Sequence, residues 1–564
     1  MLWRSSRATR VRTLVILAAI AAIGLGSVSS AGAQASSVTA TFAPVAGVLN
    51  ISGNDLANSI VVSVDPTGQI LVNGGQVPIA GGTPTVSNTV HLLIYGLGGD
   101  DEITLVDISS STPLPPATVF GGSGNDTITG GLGPDHLFGE DGDDTIRGGF
   151  GADEIFGGAG NDVLTGGLGN DVVLGEAGND RTLWNPGDGS DFDEGGDGTD
   201  SLEFNGGSIS EIIAVSANAG RVKLDRNVGL STQDIGTTES LVVNAGAGSD
   251  TVAATDGLAG LIKLTFYGGL GDDILLGSDG PDVLNGGEGN DTILGNGGND
   301  SVFMGAGDDV FIWEPGDGND IVEGEADRDT FRFNGTNEDE NVDVSARGTR
   351  VRFFRDVANI TADLNGIEVV EFDALGGIDT VSVKDLTPTD ALDVVVNLEQ
   401  QPGQGDSAPD SVTVNGTAVA DTILISGQSG SYTVAGLRPT VRVVGSEATD
   451  QLVVTALGGD DAIEAGNLLG DVVKLTIDGG SGNDVIHGGR GDDTLLGGTG
   501  NDTFTWNPGD RNDTIDGQGG GDTLKVNGSA TSEATRISAN GAPLLIQLGH
   551  LTDLRQGEVV GVQA

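Results

Sequence analysis

Fifteen aspartates recur at a spacing of nine in three runs: Asp126, Asp135, Asp144, Asp153, Asp162, Asp171 and Asp180; Asp273, Asp282, Asp291, Asp300 and Asp309; and Asp484, Asp493 and Asp502. Each is the sixth residue of a phrase Gly-Gly-x-Gly-x-Asp-x-U-x, with U aliphatic, as in "GGSGNDTIT" from Gly121. A carboxylate set in a turn dense with backbone carbonyls offers hard oxygen ligands. Such a set suits Ca2+, which takes roughly six to eight oxygens in a tolerant geometry, better than Mg2+, which demands near-ideal octahedra and sheds water reluctantly. Zinc is disfavoured, because the chain has no cysteine and its four histidines, His91, His136, His487 and His550, are scattered.

The phrases run without a phase slip over residues 121–183, 268–312 and 479–505, as seven, five and three units. Deviations fall away from the aspartate: Glu140, Glu176, Ser278 and Asn296 replace the second glycine, Met304 the first, and Thr182 one aliphatic. The element that must position the carboxylates follows from the phrase. Six residues of turn, where glycine permits positive φ and close backbone approach, precede three of strand whose position-eight aliphatic points inward. Two units make one coil of a parallel β-roll, so units two apart stack. Stacking predicts a column of Asp126, Asp144, Asp162 and Asp180 on one edge and of Asp135, Asp153 and Asp171 on the other. Such columns repel themselves unless a cation lies between the carboxylates.

Composition narrows the partner. The chain has 564 residues, 82 acidic against 25 basic, and a formal charge of -57. That field repels nucleic acids and anionic membrane surfaces and attracts cations. Residues 1–33 are of another kind: Arg4, Arg7, Arg10 and Arg12 precede the apolar "TLVILAAIAAIGLG" and small residues ending "AGA". This pattern predicts an N-terminal signal peptide and export to the extracellular space or cell surface. No further long apolar run predicts a membrane span in the mature chain. Without cysteine, an exported chain has no disulfide staples.

A larger period encloses the runs. Each is followed by a related phrase, "WNPGDGSDFDEGGDGTDSLEFNG" from Trp184, "WEPGDGNDIVEGEADRDTFRFNG" from Trp313 and "WNPGDRNDTIDGQGGGDTLKVNG" from Trp506. The intervening segments alternate apolar and β-branched residues with Gly, Asn and Asp turns and read as strands, without helix signals. The expected organisation is therefore all-β and elongated, with parallel β-roll or β-solenoid arrays joined by β-rich modules. The boundaries are a signal peptide at 1–33, a module at 34–120, rolls at 121–183, 268–312 and 479–505, modules at 184–267 and 313–478, and a C-terminal cap at 506–564. "QQPGQGDSAPD", residues 400–410, reads as a linker or exposed loop, and "SSSTPLPPA" before the first run more weakly so. Whether the modules continue the solenoid or fold as separate sandwiches is open from sequence. The three tryptophans read as end caps of the rolls rather than as a sugar-stacking set.

The nonapeptide resembles the RTX, or haemolysin-type, calcium-binding repeat. The resemblance covers about a quarter of the chain directly. It implies a calcium-loaded parallel β-roll with the fifteen position-six aspartates as carboxylate ligands, and about nine ions if each stacked pair of units makes one site. Many members leave the cell through an uncleaved C-terminal signal, whereas this chain starts with a signal peptide pattern.

Other motifs add little. "RGD" at Arg490, Gly491 and Asp492 falls where the repeat already requires Gly and Asp. No H-E-x-x-H or G-x-S-x-G phrase marks a zinc protease or serine hydrolase. The reading is a secreted calcium-binding protein without turnover, whose arrays fold on extracellular Ca2+ and which serves as a structural or adhesive surface or matrix component. The alternative is a secreted glycan-active enzyme or carbohydrate-binding protein on a calcium-stabilised solenoid.

Overall fold

A strand of three residues cannot bury a useful face alone, and the chain meets this by stacking coil upon coil. The computed structural model describes residues 38–107, 113–470 and 472–527, and the backbone of three further strands, Arg536–Ala539, Leu544–Gln547 and Val559–Gln563. The expected signal peptide, residues 1–33, lies outside the described residues, as does part of "SSSTPLPPA". Among the described residues the protein is all-β, apart from two 3-10 turns at Asn73–Gly75 and Val357–Asn359.

In the first array, strands alternate between two parallel sheets. His136–Asp141 pairs with Glu154–Ala159, and that strand with Val172–Ala177, in the first sheet. Thr145–Phe150 pairs with Val163–Leu168 in the second. The register step is 18 residues, as Thr145 to Val163, so units two apart do stack. Between the sheets lie the position-eight aliphatics Ile128, Leu137, Ile146, Ile155, Leu164 and Val173, all buried.

The inter-array modules continue the same two sheets. Ser201–Asn205 pairs in parallel with Ser240–Ala247, which pairs with Lys263–Leu270 and so enters the second array. Thr330–Asn334, Val369–Asp373, Asp393–Asn397 and Thr440–Val444 carry the first sheet through the long middle module. The expected linker at 400–410 is a small antiparallel hairpin, Glu399–Gln401 with Gln404–Gly405, and its far end brings Asp410 into a buried position.

Extra length between coils is absorbed by antiparallel meanders inserted into one sheet. The first is Ile212–Asn218, Arg221–Arg226 and Ser231–Gly236, the second Asn341–Arg347, Arg350–Arg355 and Ile360–Asn365, and the third Thr422–Gln428, Ser431–Ala435 and Thr440–Val444. Coils near them are wide enough for aromatic side chains. Trp184 stacks on Phe204 with ring centroids 4.1 Å apart, and Trp313 meets Phe333 at 5.2 Å and Phe353 at 5.9 Å. The expectation that the tryptophans cap open ends is corrected here. Trp184, Trp313 and Trp506 are buried, and the next coil covers each through the pairs with Phe204, Phe333 and Val526.

Candidate metal centre

Each position-six aspartate ends its turn just before a strand, and the strand's neighbour in the ladder fixes where the carboxylate goes. The Asp126 N–H donates to Asp144 Oδ1 at 2.7 Å, Asp144 N–H to Asp162 Oδ1 at 2.8 Å, and Asp162 N–H to Asp180 Oδ1 at 2.8 Å. On the opposite edge Asp135 N–H donates to Asp153 and Asp153 N–H to Asp171, both at 2.8 Å. The same rungs join Asp273, Asp291 and Asp309, join Asp282 to Asp300, and join Asp484 to Asp502. Asp493, on the other edge of the third array, donates to Asp513. None of the fifteen is more than 4 % exposed.

At thirteen of the fifteen, Asp282 and Asp493 apart, Oδ1 accepts an N–H from the coil before, and the other oxygen is the informative one. Except at Asp135 and Asp282, every position-six Oδ2 is buried without a hydrogen-bond partner. An unpaired buried carboxylate oxygen is costly. Removal from water, with neighbouring carboxylates added, raises the pKa of Asp144 to about 7, of Asp153 to about 8 and of Asp300 to about 9.

The position-one glycine shows what these oxygens face. A β-carbon built on Gly479 would lie 2.5 Å from Asp484 Oδ2 and 2.7 Å from the carbonyl oxygen of Gly497 in the next coil. The same pair of oxygens, carboxylate and next-coil carbonyl, crowds that point at Gly121, Gly139, Gly157 and Gly268. The donors are carboxylate and carbonyl oxygens with no nitrogen or sulfur, which fits a hard cation of the Ca2+ type. Among the described residues no three Asp, Glu, His or Cys side chains converge to hold an ion, so a site here has to combine carboxylate with backbone oxygens.

Asp135 and Asp282 differ for a reason visible in sequence. Their units carry Pro134 and Pro281 at position five, and their position-two and position-four residues lack the left-handed φ found in neighbouring units. In these turns Oδ2 instead accepts the N–H of Gly131 at 2.9 Å or of Ser278. Proline also has no N–H for the second, outer column, in which position-five side chains link coils. There Asp143 N–H donates to Asn125 Oδ1 at 3.0 Å, Asn161 N–H to Asp143 Oδ1 at 2.7 Å and Asn179 N–H to Asn161 Oδ1 at 2.9 Å. Asp492 of the "RGD" phrase belongs to this outer column, accepting the N–H of Asn512.

The carboxylate columns run past the arrays into residues that the sequence reading left out. Asn58 N–H donates to Asp101, Asp101 N–H to Asp126, and Asp180 N–H to Asp200. Further along, Asp250 precedes Asp273, Asp309 precedes Asp329, Asp379 precedes Asp410, and Asp461 precedes Asp484. The Oδ2 atoms of Asp101, Asp200, Asp250, Asp329, Asp379 and Asp461 are also buried and unpartnered. Their turns have left-handed residues at positions two and four: Leu97 and Gly99, Gly196 and Gly198, Gly246 and Gly248, Glu325 and Asp327, Leu375 and Gly377, Leu457 and Gly459. "GGDGTDSLE", residues 195–203, is a complete nonapeptide two residues out of phase with the first run. The others depart from the phrase at position one or two, yet all keep an apolar residue at position eight and all but the turn of Asp329 keep the glycine at position four.

Two meanders answer the ladder differently. Glu211 and Glu340 occupy rungs, donating their N–H groups to Asp250 and Asp379. Both are fully buried, and each is paired with a buried arginine of its own meander, Arg226 Nε to Glu211 Oε2 at 2.7 Å and Arg355 Nε to Glu340 Oε1 at 2.7 Å, with a second contact from Nη2 in each case. At the third meander the rung is Asp421, whose Oδ2 accepts the Thr417 N–H at 2.7 Å.

Comparison with known proteins matches these turns. The family model described as the RTX calcium-binding nonapeptide repeat (4 copies) matches residues 120–155, 147–181, 265–284, 276–311, 316–335 and 476–504. The stretch 316–335 lies beyond the second run and contains Asp320 and Asp329. No curated protein matches the chain. Among solved structures the chain is similar to the extracellular lipase LipA from Serratia marcescens, at 16% identity over 51% of this chain and 38% of that one, with a TM-score of 0.12. A likeness that weak carries no argument.

Proposed function

We propose, for a chain that carries RTX calcium-binding nonapeptide repeats on a parallel β-roll, that it is an exported protein whose arrays fold on binding extracellular Ca2+ and which acts as a structural or adhesive component of a cell surface or matrix. The observation that carries this reading is the column of buried aspartates whose Oδ2 atoms have no protein partner and sit beside glycine carbonyls of the next coil. In this reading Ca2+ supplies positive charge and oxygen coordination between coils. The residues do the rest: at most rungs, as at Asp144 and Asp162, Oδ1 locks the coil to the one before it and Oδ2 is left for the ion, while the position-one glycine leaves room beside it.

The energetic scale supports folding coupled to export. With extracellular-type dissociation constants of about 0.1 to 1 mM, each filled site adds on the order of 1 kcal/mol at millimolar calcium and almost nothing at sub-micromolar calcium. Several such sites rival a whole domain's stability of about 5 to 15 kcal/mol.

The test is a calcium titration of residues 34–564 from chelator, followed by far-UV circular dichroism and calorimetry. A cooperative gain of β signal near millimolar calcium with several ions bound is expected. A chain already folded in chelator and indifferent to calcium would overturn the reading. The surface role is tested separately by binding of the calcium-loaded chain to cells or matrix polymers, which should be lost in chelator.

A further inference from the structure

Apart from those of Asp135 and Asp282, the array turns share an orphan Oδ2 with the additional turns but not its surroundings. At Asp101 and Asp200 the residue five positions earlier is glycine, Gly96 and Gly195. A β-carbon built on Gly195 would lie 2.5 Å from Asp200 Oδ2 and also against the carbonyl oxygen of Thr237 in the next coil; one on Gly96 would lie against Asp101 Oδ2 and the carbonyl of Gly121. These are the paired oxygens seen at Gly479, and both aspartates are only 2 % exposed.

At Asp250, Asp379 and Asp461 the corresponding residue is Ala245, Ala374 or Ala456, each buried. The backbone course is the same: the Ala456 N–H donates to the Asp478 carbonyl, as the Gly479 N–H does to Leu496, both over one coil step. In these turns a methyl group occupies the point that the two oxygens otherwise face.

We propose that Asp101 and Asp200 are two further cation sites outside the matched repeats, extending the column of the first array by one coil at each end, and that Ala245, Ala374 and Ala456 close the equivalent position at Asp250, Asp379 and Asp461. Leu97, Leu375 and Leu457 all hold a left-handed φ at position two, so this part of the backbone is common to glycine and alanine turns, and the residue at position one is what separates them. The ligand chemistry is that of the arrays, a hard divalent cation on carboxylate and carbonyl oxygens. The inference rests on the calcium reading above.

The experiment counts ions. The full chain is dialysed against millimolar calcium, bound calcium is measured by mass spectrometry, and circular dichroism in the same buffer reports the fold. Asp101→Asn and Asp200→Asn preserve the shape and the Oδ1 acceptor, and each should lower the bound calcium while the β signal at saturation is kept. Asp379→Asn and Asp461→Asn should leave the count at the wild-type value. Gly96→Ala checks the cradle independently of any carboxylate and should lower the count as Asp101→Asn does. An unchanged count in Asp101→Asn and Asp200→Asn overturns the two sites but leaves the array reading intact. A lowered count in Asp379→Asn or Asp461→Asn overturns the closing role of alanine. A wild-type chain that binds no calcium overturns this proposal and the calcium reading together.

Discussion

The nonapeptide coils and the first two meander coils solve one electrostatic problem in opposite ways. Both place a buried carboxylate on the same ladder. In the arrays, as at Asp144 and Asp162, one oxygen of that carboxylate has no protein partner, whereas Glu211 and Glu340 have a guanidinium built into their own fold. A covalently supplied cation cannot be withdrawn, and a diffusible one can. On the proposed calcium reading, the difference assigns calcium control to the arrays and leaves the two arginine-bearing meanders with a cation of their own. The third meander shows the pairing from the other side, because its rung is Asp421 and the position facing Ile423, where the arginines stand in the other two, is Gly436.

The sharpest way to break this comparison is to remove a guanidinium. Arg355→Met leaves Glu340 buried and unpaired, and the loss of one partner of a buried pair costs about 3 to 5 kcal/mol. Denaturant unfolding at saturating calcium should show that loss undiminished. In chelator, hydrogen exchange of the wild type should find 341–355 protected and 139–180 exchanging freely. Equal protection of both regions in chelator would remove the distinction.

Glycine gives the next effect. Gly157→Ala drives a methyl into Asp162 Oδ2 and the Gly175 carbonyl, whereas a β-carbon on Gly260, in the loop before the second array, meets nothing within 4 Å. Neither has a positive φ, so the contrast isolates contact from backbone strain. Overpacking costs about 1 to 3 kcal/mol, and Gly157→Ala should raise the calcium midpoint. Gly260→Ala should be neutral or slightly stabilising, as a Gly→Ala change without strain is. Equal midpoints for the two variants would mean that the position-one glycine does not border the ion's site.

A third contrast is in pH. Burial, with nearby carboxylates added, raises Asp153 to about 8 and Asp300 to about 9 from an ordinary 3.8. A group whose pKa is raised by folding lends stability that is complete below the unfolded value and lost as pH rises through the folded one. In chelator, whatever fold survives should therefore gain stability as pH falls from about 9 toward 4. In millimolar calcium the sign reverses, since protons compete for the oxygens the ion needs. Thermal unfolding at several pH values, with and without calcium, should give slopes of opposite sign, and slopes of the same sign would argue against carboxylate ligation.

Much of the candidate site was legible because its period is rigid: eighteen residues per coil place Asp126 over Asp144 by arithmetic. The continuity of the solenoid was not, because the ladder step varies from 18 residues to 20 at Asp180 and Asp200 and to 39 at Asp200 and Glu239, where a meander intervenes. Nor was the turn at Leu375 or Leu457, since leucine gives no sign of the left-handed φ that both adopt. In sequence Arg226 and Arg355 are simply the last residues of "RVKLDR" and "RVRFFR". Their burial beside Glu211 and Glu340 comes from a registration between strands that the spacing of a single sequence does not carry.

The smallest effect separates two columns one residue apart. Asn161 and Asp162 are neighbours; the first is exposed and accepts the Asn179 N–H at 2.9 Å, the second is buried and accepts none at Oδ2. Asn161→Ala removes two exposed side-chain hydrogen bonds, the one accepted from Asn179 N–H and the one donated to Asp143 Oδ1, and should cost about 1 kcal/mol, with the number of bound ions unchanged. Asp162→Asn keeps the Oδ1 acceptor and the local shape, yet should lower the ion count and raise the calcium midpoint. If isothermal titration found the same loss of ions in both variants, the outer column would share the binding, and the division between a wall that aligns coils and a column that holds charge would fail.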